Sequence, residues 1–247
     1  MRSAGAADAV WPPALAALYL RQPAPGGACS FAAQLALDPA AVAQYGGAQA
    51  VWLEVDVDAD ASAPDPTLGV RLSWFNKTAT RLAESAWLSF VPNVHVGGGA
   101  TAERGDGGGG RGRGGVRAPA PAPAPDAPAA RSGWWLDVLG SRVWPEDVVL
   151  YGTRHVHGVN AGFGFDPAAA SPAPPPGSTV RGFNVTTLDA FLVSPGDTGH
   201  LLHFDGEALP DMAGGVHAVL ASNLWGTAFS QWFGEDAQFR FRVALRV

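Results

Sequence analysis

"QFRFRVALRV", residues 238–247, alternates without a break. Phe239, Phe241, Val243, Leu245 and Val247 fall on one side, while Gln238, Arg240, Arg242 and Arg246 fall on the other. Successive side chains of a strand point to opposite faces, so this is a strand with an apolar inner face and a charged outer one. Such a strand belongs to a sheet packed on one side only, as in a sandwich of two antiparallel sheets.

The same period recurs upstream. In "VWLEVDVDAD" (51–60), Val51, Leu53, Val55 and Val57 share one face; Trp52, Glu54, Asp56 and Asp58 share the other. "LGVRLSWF" (68–75) sets Val70, Leu72 and Trp74 on one side, and "ASAPDP" between the two runs is turn chemistry. "SAWLSFV" (85–91) reads as a further strand. Strand-like runs resume at "WWLDVLG", "DVVLYGTRHVHGV", "STVRGFNVTTLDAFLVSPG", "HLLHFDG" and "GVHAVLASNLWG". Many short strands separated by turns predict an all-β chain, a large antiparallel β-sandwich.

Helix is expected only near the start. "WPPALAALYL" (11–20) is rich in Ala and Leu and carries proline in its first turn, so it reads as a short helix. "LDPAAVAQYGG" (37–47) has Asp38 at the N-cap position, Pro39 at N1 and Gly46 as the stop. The domain division is a helical segment and linker over 1–30, then a β-sandwich over 31–247. Residues 97–130, glycine-rich and then alternating Ala-Pro, cannot bury apolar surface and are expected to be a disordered insert within that domain. Residues 166–178 read as a shorter loop.

Composition narrows the function classes. The 247 residues are 47% hydrophobic, enough for a core, with only 15% charged and a net charge of −6. A weakly acidic surface does not favour nucleic acid or anionic membrane as partner. No stretch is long and apolar enough to span a membrane, and "ALAALYL" lacks the basic lead of a signal peptide. One cysteine, Cys29, excludes an intrachain disulfide and a paired-cysteine zinc site. The sequons at Asn76 and Asn184 are permissive only.

Several constellations come up for chemistry. His155 and His157 in "TRHVHG" would share one face of a strand, as at a two-histidine metal edge. The plainer reading of the pair is a polar stripe on a strand, and no spacing singles out His203, His217 or an acid as third ligand. Glu235 and Asp236 are adjacent and so point apart on a strand, which is wrong for a glycosidase pair; Glu84 and Asp205 stand alone. No nucleophile elbow or phosphate loop occurs.

Two polar stretches remain. "WFNKTATRLAESAWLSF" (74–90) carries Asn76, Lys77, Arg81 and Glu84 between two aromatic strands. Arg81 and Glu84 could pair across a turn, and Asn76, Thr78 and Thr80 could tie the loop backbone. "SNLWGTAFSQWFGEDAQFRF" (222–241) interleaves Asn223, Trp225, Thr227, Gln231 and Trp232 around Gly226. Indole faces with amides and hydroxyls suit a sugar ring. They also suit a loop that plugs one end of a sandwich.

These two blocks, with "WWLDVLGSRVWPEDVVLYGTRHVHGV" and "LDAFLVSPGDTGHLLHFD", resemble the C-terminal part of a family similar to the class II α-mannosidases, the retaining glycoside hydrolases of family thirty-eight. The likeness runs from about Phe31 to the C-terminus, without the insert. It implies a supersandwich related to galactose mutarotase. It also implies a zinc-dependent catalytic domain, with a His-x-Asp motif, on the N-terminal side of the sandwich. Zinc is therefore expected in that domain and no cofactor in this chain. "HFD" at His203–Asp205 falls inside a sandwich block, so the metal role is not carried to it. "RLAES" stands where the family usually has "RLPEA". The resemblance implies a sandwich that supports a carbohydrate site beside the catalytic domain, without activity of its own. Substrate-facing candidates are Arg81, Glu84, Asn223, Trp225, Thr227 and Trp232. The alternatives are a free carbohydrate-binding module using Trp225 and Trp232, or a mutarotase-type epimerase with His155 or His157 as acid.

Overall fold

A computed structural model describes residues 9–21, 29–58, 65–80, 82–92, 130–171, 182–199, 208–223 and 234–246. In chain order the elements are β1 (Ala14–Arg21), β2 (Cys29–Ala36), α1 (Pro39–Tyr45), β3 (Ala50–Asp58), β4 (Thr67–Phe75) and β5 (Ser85–Phe90). Then come β6 (Trp134–Val138), β7 (Ser141–Val143), β8 (His157–Gly158), β9 (Gly162–Phe165) and β10 (Phe183–Thr187). β11 (Leu192–Pro195), β12 (Val216–Ser222) and β13 (Ala237–Leu245) complete them. Most of 97–130 and residues 172–178 lie outside the described residues.

The strands form two antiparallel sheets. One has the order β1-β2-β3-β4-β13-β10-β9-β6-β7; the other has the order β5-β12-β11-β8. The fold is an all-β sandwich, as the alternating runs predict. β13 is inserted between β4 and β10, with Phe239 opposite Leu72 and Val185 opposite Val243. Its inward residues therefore reach the middle of the molecule. Phe163, Phe241, Leu136 and Val185 of the large sheet meet Val193, Val216 and Ala218 of the small one, all buried. Phe90 of β5 bridges the layers, edge-on to Phe163 at 5.3 Å and to Phe241 at 5.4 Å. A second cluster, Ala48, Val51, Leu72 and Trp74, packs beneath Leu88 and Leu220.

α1 forms as its sequence dictates. The Asp38 carboxylate accepts from Ala40 N, proline occupies the first turn, and Gly46 closes the helix in the left-handed region at φ 68°.

The first segment is different. Ala14–Arg21 is a strand, not a helix, and belongs to the large sheet rather than to a separate N-terminal unit. Its intrinsic leaning is helical, but seven register positions against β2, from Ala14↔Ala36 to Arg21↔Ser30, pair the backbone groups on its inner side. The register shifts between Leu15 and Ala17. β1 ends the sheet, and Leu15, Leu18, Tyr19 and Leu20 are all more than half exposed. "DVVLYGTRHVHGV" also departs from expectation. Pro145–Asp147 is a short 3-10 turn, Tyr151 takes φ 62°, and only His157–Gly158 is strand. Within 166–178, Asp166 caps a 3-10 turn at Ala168 N, and Ala170 is buried rather than looped out.

Candidate functional site

The two polar blocks are about 140 residues apart in sequence and meet at one corner of the sandwich. β4 leads into the 76–84 connection and β12 ends at Ser222, beside the start of β5. Asn223 then stitches the connection down. Its side-chain oxygen accepts from Glu84 N, its amide donates to the Leu82 carbonyl at 2.7 Å, and its own backbone N donates to the Glu84 carbonyl at 3.0 Å. Asn223 is buried, so these bonds are shielded from water.

A second stitch comes from the far side. Trp74 donates its indole N–H to the Glu235 carbonyl at 2.9 Å, and Asn76 N, in the left-handed region at φ 56°, donates to the Asp236 carboxylate at 2.7 Å. Gly234 lies so close to Ala79 that a Cβ there would touch the Ala79 backbone. Thr78 N donates to the Gly46 carbonyl, so the helix end joins the same corner. A Cβ on Gly46 would run into the Thr78 carbonyl and the Thr80 methyl.

The charge at the corner is paired. Lys77 Nζ sits 2.6 Å from Glu84 Oε1, with the lysine side chain 8% and the glutamate 26% exposed. The same ammonium reaches the Gly46 carbonyl at 3.4 Å. Glu84 thus binds Lys77, a residue sequence reasoning noticed without choosing. The spacing of seven across a non-helical loop carries no signal that pairs them. Removing one partner leaves the other charge half-desolvated. Glu84→Ala should therefore lower the urea midpoint more than the Lys77→Met/Glu84→Ala double variant does. Equal midpoints would mean that the pair is solvated and immaterial.

Of the candidates, Glu84 and Asn223 come together here. Arg81, Trp225, Thr227 and Trp232 lie outside the described residues. Glu235 and Asp236 are spent on Trp74 and Asn76, one through its backbone and the other through its side chain.

The histidines sit elsewhere. His155 is buried and precedes β8, so it does not share a strand face with His157. The His157 Nε2–H donates to the Arg154 carbonyl at 3.1 Å. His217 Nδ1 is 2.8 Å from Ser89 Oγ across the β5–β12 ladder, and the buried Ser194 is its partner on β11. Among the described residues no three His, Cys, Asp or Glu side chains converge. His203 and Asp205 lie outside the described residues. No described helix is long and apolar enough to cross a membrane.

Burial depresses both imidazole pKa values. For His157 the Arg154 carbonyl opposes desolvation and the neighbouring His155 adds to it; for His217 the Gly196 carbonyl and Asp197 oppose it. The unfolded chain then binds more protons than the folded one once the pH falls through the ordinary histidine value, about 6.5. Stability should be level above that pH and decline below it, until the folded values are passed. Urea midpoints from pH 8 to 5 should show the fall, and His217→Gln with His157→Gln should flatten it in proportion.

The fold and corner define a class: a two-sheet β-sandwich with a hydrogen-bonded loop corner at one end. Comparisons with family models, curated proteins and solved structures gave no match.

Proposed function

We propose that the chain is the carbohydrate-side sandwich of an α-mannosidase-like glycoside hydrolase, a non-catalytic wall that holds substrate-facing loops while the metal chemistry belongs to another domain. One observation carries this reading. The two blocks in which the resemblance is most specific, distant in sequence, converge on the corner built by Asn223, Glu84 and Leu82. Preorganised polar loops on a rigid sheet end are what a sugar-site wall needs. In this reading Glu84, steadied by Lys77, is a sugar contact.

The test has two arms on the purified chain with added zinc. Turnover of 4-nitrophenyl α-mannoside is expected to be absent. Saturation-transfer NMR with methyl α-mannoside is expected to give a signal that drops several-fold in Glu84→Gln. Turnover that disappears on substitution of the chain's own residues would overturn the non-catalytic assignment. A signal that is absent, or unchanged in Glu84→Gln, would overturn the corner as a sugar wall.

A further inference from the structure

The outer face of the large sheet carries a second feature, away from the corner bonds. Strand alternation sends Trp52 and Glu54 of β3, and Ser73 and Phe75 of β4, to this face. Register places Trp52 opposite Ser73 and Ser73 opposite Gln238 of β13. Trp52, Glu54, Ser73, Phe75 and Gln238 line one shallow depression of about 280 Å³. Tyr19 extends it, its ring 5.7 Å from that of Trp52.

Three properties of this surface point to one ligand chemistry. It is aromatic where solvent can reach: Phe75 is 41% and Tyr19 53% exposed, with the half-buried Trp52 between β1 and β4. It carries oriented hydrogen-bonding groups beside the rings. Gln238 donates from Nε2 to the buried Ser73 hydroxyl at 3.2 Å, which fixes the amide and leaves its oxygen to accept. It is also electrically balanced, because the Glu54 carboxylate is matched by the Arg71 guanidinium at 3.0 Å. An acidic or basic ligand gains nothing here, whereas a pyranose has one apolar face for an indole and equatorial hydroxyls for an amide and a paired carboxylate. The open, strand-paved shape suits an extended chain.

We infer that this sheet face is a binding platform for an uncharged polysaccharide, with Trp52 as the stacking residue and Gln238 and Glu54 as the hydroxyl partners. It does not depend on the corner.

Native affinity electrophoresis tests it. The chain is run in gels containing hydroxyethylcellulose, galactomannan or dextran, with polygalacturonate as the charged counterpart. At least one neutral polymer should retard the chain, and polygalacturonate should not. Trp52→Ala and Gln238→Ala should each weaken retardation at least tenfold. Val149→Ser, an exposed change outside both the platform and the corner, should be retarded like the parent, and retardation by hydroxyethylcellulose or dextran, which contain no mannose, separates this platform from the corner. Thermal melts verify folding, and Gln238→Ala, an exposed position, decides the matter if Trp52→Ala melts early. Retardation by no neutral polymer, or retardation indifferent to both substitutions, would overturn the platform. So would a Trp52-dependent shift in polygalacturonate alone. A concentration-dependent dimer lost in Trp52→Ala, without polymer binding, would reassign the face to self-association.

Discussion

Phe163→Ala should destabilise the chain by about 3–5 kcal/mol, the usual cost of emptying a large aromatic site in a core. Phe163 has no exposed surface and lies where the two sheets meet. Its ring is set edge-on to Phe90, which in turn is edge-on to Phe241. The vacancy cannot be refilled cheaply. β9 carries glycines on both sides of Phe163, at 162 and 164, and Gly164 is pressed against the Trp135 ring. The backbone there is pinned between β10 and β6 by registers such as Val185↔Phe163 and Leu136↔Phe163. Domains of ordinary stability have about 5–15 kcal/mol in hand, so this one change removes a large share. Urea unfolding followed by tryptophan fluorescence gives the number. A loss below about 1 kcal/mol would mean that the sheets close over the gap, contrary to a tightly packed interlayer.

Asn223→Ala is the second large effect, about 2–3 kcal/mol, since it strands the Glu84 N–H and the Leu82 carbonyl in a place with little water. Asn223→Asp separates the two bonds. The carboxylate still accepts from Glu84 N but has no proton to give the Leu82 carbonyl at neutral pH. It should fall between parent and alanine variant at pH 7, and recover part of the deficit at low pH relative to alanine, when the carboxyl regains a donor. Hydrogen exchange at the Glu84 amide should quicken in Asn223→Ala and stay slow in Asn223→Asp. If both variants left the amide equally protected, the bond would not be what holds the corner.

The strands of the core were legible because alternation is a local signal. Val51, Val55, Leu72, Trp74 and Phe241 all lie buried on the faces that their spacing assigns. α1 was legible from Asp38, Pro39 and Gly46, since caps are read from adjacent residues. β1 was not, because Ala-Leu propensity is weak compared with a full ladder against β2. The histidine run failed for a similar reason: a left-handed Tyr151 and a turn closed by the Gly152 N–H on the Val149 carbonyl bend the chain before His155, and nothing in the alternating letters announces it. Residue types at the corner were readable, as Glu84 and Asn223 attest; their partners were not. Lys77 finds Glu84, and Asn223 finds Leu82, only after β12 pairs with β5. The sheet-face depression needed even more, because β13 must slide beside β4 before Gln238 can stand next to Ser73.

The end of the large sheet has a practical side. Natural sheets guard their last strand with lysine, proline or a short length. β1 instead offers eight residues, Ala14–Arg21, with leucines at 15, 18 and 20 and no charge before Arg21. Among the described residues no strand pairs with its outer backbone row, so that row can accept the like strand of another molecule, and each addition exposes a fresh row. Light scattering from concentrated solutions should therefore rise with time, and Leu18→Lys, which puts a charge on this exposed strand, should slow the rise.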